Sequence, residues 1–435
     1  MGALVLPAAF SEAQPVTKIA AGVFDSLFLK SDGSLWVMGD NEFGQLGTNG
    51  FSTIRPEQIV ANGITAIAAG DNHSLFLKSD GSLWAMGDNY YGQLGDGTSN
   101  TTNRPELIVA SNVTAIAAGG YHSLFLKSDG SLWGMGNNGS GQLGDGTYST
   151  NVPYGINQPE QIVSSNVTAI AAGAGHSLFL KSDGSLWGMG GNSSGELGDG
   201  TYFTNFPYGI NRPEKIVASN VTAIAAGGVH SLFLKSDGSL WAMRYNFYGQ
   251  LGDGTYNTTN QPEQIVASNV TAIAAGWSHS LFLKSDGSLW GMGDNNFGLL
   301  GYGTYNKTNR PEQIVANGIT AIATGEYHSL FLKSDGSLWG MGLNDRGQLG
   351  DGTYNYPYNY TSLPEQIYPE LPPALAISTY NNKPVVFFET ATGTNFTLQM
   401  TTNLASGIWV KVTNGIPISA VQIPNAPGTA FFRLH

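Results

Sequence analysis

The chain has 435 residues, of which 41% are hydrophobic, 11% are charged and 59 are glycine, a composition that suits short strands joined by turns. Its formal net charge of −12 would repel phosphate backbones, which argues against a nucleic-acid partner, and no apolar run reaches the ~20 residues of a membrane-spanning helix. Cysteine is absent, which excludes disulfide bonds, Cys-ligated zinc and thiol catalysis.

Residues 1–15 open the chain with an apolar stretch, GALVLPAAF, followed by SEAQ. The pattern is similar to the end of a signal peptide that has lost its basic leading segment. We therefore expect a secreted or periplasmic protein. An added edge strand is the alternative interpretation of this segment.

Residues 16–370 contain seven copies of one repeat, each with a tryptophan in the setting Ser-Leu-Trp. The tryptophans are Trp36, Trp84, Trp133, Trp187, Trp241, Trp290 and Trp339. One copy reads VTAIAAGGYHSLFLKSDGSLWGMGNNGSGQLGD, over 113–145, and is followed by a polar connection and a Pro-Glu-Gln-Ile-Val segment. These stretches predict four strands per copy, and Asp129-Gly130 predicts a type I′ hairpin turn between the second and third.

Apolar residues occupy both faces of these strands, as in the run Leu124, Phe125, Leu126. Both faces must then be covered, and stacked sheets would let Phe125 and Trp133 meet small Ala and Gly residues of the next sheet. The first and seventh copies are as apolar as the rest, so a closed ring is favoured over an open stack. The prediction is an all-β, seven-bladed propeller of four-stranded antiparallel blades. Its last blade is completed by 364–368, or alternatively by a strand near 3–6.

Residues 371–435 follow a proline-rich junction and lack the repeat. They carry β-like stretches at Val385–Phe388, Phe396–Met400 and Ile408–Val412, which predict a small C-terminal β-rich module.

The motifs Gly-x-x-His-Ser, Ser-Leu-Trp-Gly-Met-Gly and Gly-Gln-Leu-Gly, in that order, make the repeat resemble the regulator of chromosome condensation repeat family. The resemblance implies a seven-bladed propeller. The family includes exchange factors for the small GTPase Ran, ubiquitin ligase modules and secreted bacterial inhibitors of β-lactamase. The insertions at 152–157 and 206–211 are short for the wedge that an exchange factor uses, and the regular repeats and predicted export are closer to the secreted members.

The loops after Ala-Ala-Gly and after Met-Gly must emerge at one end of an antiparallel blade, opposite the Lys-Ser-Asp-Gly turns, and the copies differ mostly there. We predict a non-enzymatic, monomeric binding or scaffold propeller that recognises a protein, or as a second candidate a glycan, at this end. Drift in tolerant loops is the alternative explanation, and guanine nucleotide exchange is the alternative function. The predicted contact residues are Phe24, Asp71, Asn72, Tyr121, Trp277, Glu326, Tyr327, Phe43, Tyr90, Tyr91, Arg244, Tyr245, Phe247, Tyr248, Phe297 and Arg346. Arg244 replaces a glycine of the other copies, a change that costs little if the side chain points outward. It is interpreted either as a contact residue or as a change that is only tolerated.

No residue pattern nominates a nucleophile, a cofactor site or a metal site. Six copies place a histidine at the start of the second strand, where the first copy has Asp25. We expect these side chains to hydrogen bond the backbone of the preceding loop. They are His73, His122, His176, His230, His279 and His328. The repeated Gly-Asp-Gly-Thr lacks the alternating carboxylates of a calcium loop and predicts a turn.

Overall fold

The computed structural model describes residues 14–149, 155–193, 195–202, 207–353 and 360–368, and the strand residues 375–380, 383–388, 398–401, 410–411, 420–422 and 431–434. Every regular element in this part of the chain is a strand. The chain divides into two compact units, Met1–Ile367 and Tyr368–His435. The signal-like segment at 1–13 lies outside the described residues, as do residues 152–154 of the first insertion and residue 206 of the second.

Seven antiparallel sheets of four strands each form blades 1 to 7 in chain order, as predicted. The first strands are β1 (Val16–Ala21), β5 (Ile64–Ala69), β9 (Val113–Ala118), β13 (Val167–Ala172), β17 (Val221–Ala226), β21 (Val270–Ala275) and β25 (Ile319–Thr324). The second strands are β2 (Asp25–Lys30), β6 (His73–Lys78), β10 (His122–Lys127), β14 (His176–Lys181), β18 (His230–Lys235), β22 (His279–Lys284) and β26 (His328–Lys333). The third strands are β3 (Leu35–Gly39), β7 (Leu83–Gly87), β11 (Leu132–Asn137), β15 (Leu186–Gly191), β19 (Leu240–Arg244), β23 (Leu289–Gly293) and β27 (Leu338–Leu343). The fourth strands are β4 (Thr53–Val60), β8 (Thr102–Val109), β12 (Gly155–Val163), β16 (Gly209–Val217), β20 (Thr259–Val266), β24 (Thr308–Val315) and β28 (Tyr360–Tyr368).

The turn between the second and third strands differs from the predicted type I′. In blade 3, the Gly130 N–H donates to the Lys127 carbonyl over 2.9 Å, and Gly130 has a φ of 77°, but Asp129 has no positive φ. This is a three-residue loop in which a type I turn ends on a left-handed glycine. The Asp129 side chain explains why this loop forms in place of a type I′ turn. Its Oδ1 accepts hydrogen bonds from the Ser131 N–H at 2.9 Å and from the Ser131 hydroxyl at 2.6 Å. The carboxylate thus closes the turn, and the type I′ prediction is wrong.

The core lies between neighbouring blades. In blade 3, the Phe125 and Trp133 rings stack with centroids 6.1 Å apart and pack against Leu75, Leu77 and Ala68 of blade 2. The predicted large-against-small packing is therefore only partly right, because leucines of the preceding blade pack against these rings together with its alanines. The Lys127 ammonium lies 3.9 Å from the Trp133 ring centroid, and equivalent Lys–Trp contacts occur in all seven blades. The opposite end of the ring from the variable loops is thus covered by one repeated cation–π contact.

The ring closes between blade 7 and blade 1 without a shared sheet. Each blade is one continuous segment, and β28 completes blade 7, which confirms the preferred closure by 364–368. At this junction the Val16 N–H donates to the Gly336 carbonyl over 3.1 Å, just as the Ile64 N–H donates to the Gly33 carbonyl between blades 1 and 2. The closing junction therefore repeats the contacts found between sequential blades.

The second unit contains two three-stranded sheets, with orders β29-β30-β33 and β32-β31-β34. Their strands are β29 (Leu375–Tyr380), β30 (Lys383–Phe388), β31 (Leu398–Thr401), β32 (Val410–Lys411), β33 (Ala420–Gln422) and β34 (Phe431–Leu434). Of the three β-like stretches predicted here, the first lies within β30, and the other two overlap β31 and β32 with their remaining residues outside the described ones. Nothing in the described residues is a helix of the length and hydrophobicity needed to cross a bilayer.

Candidate functional site

The two sets of variable loops lie side by side at one end of the propeller. In blade 2 the Asp88 N–H at the end of the third strand donates to the Asn72 carbonyl over 2.8 Å, and in blade 3 the Asn137 N–H donates to the Tyr121 carbonyl over 2.7 Å. The Lys-Ser-Asp-Gly turns lie at the other end of the same strands. The predicted shared end is confirmed, and we call it the variable rim.

Three tyrosines form a first aromatic cluster on the variable rim. Tyr90 and Tyr91 meet edge to face with centroids 5.0 Å apart, and Tyr91 contacts Tyr121 of blade 3 at 5.1 Å. Tyr90 is 52% exposed. The cluster therefore presents rigid aromatic surface across the junction between two blades, which suits a binding contact.

A second aromatic cluster spans the closing junction. Phe24 of blade 1 stacks on Tyr327 of blade 7 at 5.5 Å, and Phe297 of blade 6 meets Tyr327 edge to face at 5.6 Å. Tyr360 extends the cluster through Phe297 at 6.2 Å, and the Arg346 guanidinium lies 5.9 Å from the Phe24 centroid. Four of these residues were predicted from the sequence, and the structure brings them together.

A third aromatic cluster lies on blade 5. Tyr245, Phe247 and Tyr248 contact one another at 6.3 and 5.3 Å, and Phe247 is 57% exposed. Lys307 of blade 6 crosses to this cluster: its ammonium donates to the Phe247 carbonyl over 2.9 Å and lies 4.7 Å from the Phe247 centroid. Phe43 on blade 1 is 37% exposed and stands apart from the three clusters.

The loops between the first and second strands of the blades surround the mouth of the central channel. The mouth is a cavity of about 170 Å³. Asp71, Trp277 and Glu326 line it together with small residues of the other blades. Burial, together with the charge of Glu326, raises the pKa of Asp71 to about 7, and burial raises the pKa of Glu326. Two carboxyl groups in one enclosed space thus favour their protonated forms, or a cation from outside.

Arg244 does not point outward, so the condition under which the change would cost little is not met. It is 8% exposed, has a φ of 98°, and forms an ion pair with Glu196 of blade 4, while its Nη1 donates to the Gly228 carbonyl over 3.2 Å. In blade 2 the same position is Gly87, where a Cβ would lie 3.2 Å from the Gln45 backbone of blade 1. Arg244 therefore occupies a junction between blades, and a partner could not reach its guanidinium.

The histidines connect blades instead of bonding the preceding loop, so that prediction is wrong. The His73 Nε2 lies 2.9 Å from the Ser123 hydroxyl of the next blade, and the Ser123 hydroxyl donates to the Gln93 carbonyl over 2.7 Å. Six such His–Ser contacts occur, including His328 to Ser26 at the closing junction. Burial lowers the histidine pKa values, to about 3 for His73 and about 4 for His122, so the rings are neutral near neutral pH.

Asp25 leaves the seventh of these contacts unmade. Its carboxyl is fully buried, and neither oxygen has a hydrogen-bond partner among the described residues. Burial, and then the charges of Asp40 and Asp71, raise the pKa of Asp25 well above its usual range. Blades 1 and 2 are therefore joined less completely than the other neighbours.

The Gly-Asp-Gly-Thr segments form turns, as predicted. Asp96 Oδ1 accepts the Thr98 N–H at 2.8 Å and the Asn89 side-chain amide at 3.0 Å. Within the described ranges, no three His, Asp or Glu side chains come together in a way that could hold a metal ion.

Sequence reasoning missed Lys307, Tyr360 and Glu196. Lys307 and Tyr360 follow the polar connections that were interpreted only as turns. Glu196 was detectable, since the fourth copy reads Gly-Glu-Leu-Gly where most copies read Gly-Gln-Leu-Gly. Its partner Arg244 is the departure in the very next copy.

The family model described as RCC1-like domain matches residues 108–409. The chain belongs to this family. Models of the regulator of chromosome condensation (RCC1) repeat match residues 16–45, 64–93, 32–77 and 80–126. These matches confirm the resemblance drawn from the repeat motifs, and the matched models describe no catalytic domain.

Two curated relatives match short parts of the chain. A Caenorhabditis elegans X-linked retinitis pigmentosa GTPase regulator homolog is 40% identical over 94 residues, 21% of this chain and 6% of that protein. The mitochondrial RCC1 domain-containing protein RUG3 of Arabidopsis thaliana is 31% identical over 101 residues, 22% of each chain. The matched region thus spans less than a quarter of the length of either relative.

Solved propellers have the same fold. Human WBSCR16 aligns with a TM-score of 0.64 and 25% identity, covering 74% of this chain and 87% of that one. Yeast RCC1 (Prp20) bound to Kap60 aligns with a TM-score of 0.68 and 22% identity, covering 84% and 87%. Prp20p of Saccharomyces cerevisiae, studied for its binding to Gsp1p and histones, aligns at 0.68 and 21%, covering 84% and 90%. At these last two identities the likeness concerns the fold alone.

Proposed function

We propose that this chain is a non-enzymatic binding module that recognises a protein partner through the variable rim. The observation that carries the proposal is the contrast between the two ends of one ring. Lys-Ser-Asp-Gly-Ser is identical in all seven copies at one end. At the other end the copies diverge into three aromatic clusters and a channel mouth with two carboxyl groups.

The chemistry of the rim suits a protein partner. Aromatic residues and arginine are the side chains that interface hot spots favour, and stacked rings lose little conformational entropy on binding. The net charge of −12 disfavours a nucleic acid and favours a basic protein surface. Prp20, which shares the fold, is itself bound by Kap60.

The test uses the full-length chain as immobilised bait, with retained proteins identified by mass spectrometry and their affinities measured by biolayer interferometry. The variant Tyr121→Ala/Tyr248→Ala/Trp277→Ala changes three parts of the rim. The matched control, Ser79→Ala/Ser128→Ala/Ser236→Ala, changes exposed side chains at the opposite end. We expect the rim variant to weaken binding by more than about 100-fold and the control to leave it unchanged. Equal binding by both variants would overturn the proposal.

Nucleotide exchange, the alternative, is separated by a kinetic readout. If a retained partner is a small GTPase, release of its labelled guanine nucleotide is timed with and without the chain. A binding module leaves the release rate unchanged, whereas accelerated release would replace the proposed function by exchange.

A further inference from the structure

Each repeat contributes the residue that follows Ala-Ala-Gly to the channel mouth, and these residues are unequal. Blades 3, 4 and 5 supply the small residues Gly120, Ala174 and Gly228, whereas blades 2, 6 and 7 supply Asp71, Trp277 and Glu326. The cavity of about 170 Å³ is below the roughly 300–1,000 Å³ of pockets for drug-sized ligands. It has room for a single side chain.

The two carboxyl groups have no protein cation beside them. Asp71 extends over blade 3, where a Cβ on Gly120 would lie 3.1 Å from the Asp71 Oδ2. Among the described residues, Asp71 has no ion pair or side-chain hydrogen bond, and neither Lys nor Arg lines the cavity. A pair of enclosed carboxylates is costly unless a cation enters with them. Burial and the mutual charge raise the pKa of Asp71 to about 7, in accord with this cost.

Trp277 supplies an aromatic face to the same cavity. Its indole lies against Gly228 of blade 5, where a Cβ would be 2.5 Å from the Trp277 Cδ2, so only glycine permits this position of the ring. No Lys or Arg of the described residues stacks on Trp277, although each of the seven blade tryptophans carries a lysine at 3.5–4.1 Å. An indole beside carboxylates is the arrangement that holds an ammonium or guanidinium group.

We infer that the channel mouth is a pocket for one lysine or arginine side chain of the protein partner, held by Asp71, Glu326 and the Trp277 ring. The inference rests on the proposed function and adds the anchor residue to it. Bringing a cation to this pocket relieves the repulsion between the carboxylates, while the aliphatic stem of the side chain lies in the remaining volume of the cavity. The surrounding aromatic clusters then contact the rest of the partner.

Titration of the full-length chain with N-acetyl-lysine methylamide tests the pocket directly. The nitrogen-15 signals of the indole groups are followed, and Trp277→Phe identifies the Trp277 signal. We expect a saturable shift of that signal, which N-acetyl-norleucine methylamide does not produce. The isosteric variant Asp71→Asn/Glu326→Gln should weaken binding at least about tenfold, whereas Asp80→Asn at the opposite end should not. No saturable shift at Trp277, or the same affinity in the isosteric variant, would overturn the inference.

Tyr121→Ala/Tyr248→Ala separates the pocket from the proposed function, because neither residue lines the channel mouth. This variant should bind the lysine analogue like the unmodified chain and lose affinity for the protein partner. If this variant still binds the protein partner, while binding of the lysine analogue depends on Asp71 and Glu326, the inferred pocket stands and the proposed role of the wider rim is overturned. If this variant binds the partner more weakly but the unmodified chain does not respond to the lysine analogue, the role of the rim stands and the inferred pocket is overturned.

Discussion

Arg244 and Glu196 form a buried ion pair across the junction between blades 5 and 4. Each departs from the residue that other copies have at its place, Gly for Arg244 and most often Gln for Glu196. Burial lowers the pKa of Arg244 to about 10, so it keeps its charge near neutral pH. The two departures are therefore one feature, in which each charge makes the other tolerable.

Breaking this pair should destabilise the ring more than removing both charges. Glu196→Gln alone leaves a buried guanidinium without its carboxylate and should cost about 3–5 kcal/mol. Glu196→Gln/Arg244→Gly restores the pattern of the other copies and relieves the positive φ at position 244, so it should recover most of that loss. Unfolding free energies in guanidinium chloride for the parent chain, Glu196→Gln, Arg244→Gly and the double variant give the coupling energy. Arg346→Ala, at a partly exposed ion pair, serves as the control and should cost less than about 1 kcal/mol.

Asp25→His should supply the missing His–Ser contact with Ser74. The change replaces an unpartnered buried carboxyl by the residue of the other six copies, and we expect a gain of at least about 1 kcal/mol at about pH 8. The folded-state pKa of Asp25 is raised, so its stability contribution is present at low pH and lost as pH rises. The advantage of Asp25→His should thus be largest above about pH 6.5 and shrink towards pH 4. Asp25→Asn is the control, which removes the charge without adding the contact. A difference between the histidine and parent chains that does not change with pH would contradict the account.

The six histidines should make the propeller sensitive to mild acid. Their folded-state pKa values are lowered, to about 3 in His279, so their contribution is complete above the unfolded value and is lost as pH falls below about 6.5. Each should contribute up to about 1.4 kcal/mol per pH unit to the slope of the unfolding free energy in that range. His279→Gln should reduce this slope by the share of one proton. If the slope of His279→Gln equalled that of the unmodified chain, His279 would accept its proton in the folded state and the account would be wrong. Urea unfolding over a pH series measures the effect.

A side chain at a turn glycine should lower the stability of the propeller. Gly130 has a φ of 77°, and a Cβ there would lie 3.0 Å from the Asn112 nitrogen. Gly130→Ala should therefore cost about 1–2 kcal/mol in thermal or chemical unfolding. Gly175 offers a matched comparison, because a Cβ at Gly175 meets nothing within 4 Å and its φ is not positive, so Gly175→Ala should be nearly neutral. Equal costs at the two positions would contradict the assigned turn.

The regular repeat made the fold predictable from the sequence. The side-chain contacts between blades and the type of the hairpin turn were not predictable in this way. The spacing of the tryptophans and the two-sided apolar strands were enough to indicate seven blades and the side on which Tyr121 and Tyr248 emerge. Residue types alone could not indicate that His73 reaches Ser123, because the contact joins residues 50 positions apart in different sheets. The direction of the Arg244 side chain could not be predicted for the same reason, since a carboxylate one blade earlier decides it. The Asp129 turn was misjudged because Asp-Gly suits two hairpin types, and the residue pair alone does not show that the Asp129 carboxylate accepts hydrogen bonds from Ser131 and closes a three-residue loop.

The junction of Val16 with Gly336 has a mechanical consequence. Because no sheet among the described residues combines strands from both ends of the repeat region, the break between residues 14 and 368 coincides with one of the seven junctions between blades. Joining 368 to 14 through a linker and cutting the chain at another seam, such as 61–63, would yield a rearranged protein with the same set of interblade contacts. The chain could therefore begin at any blade, and the order of its repeats is one of seven circular permutations of the same arrangement.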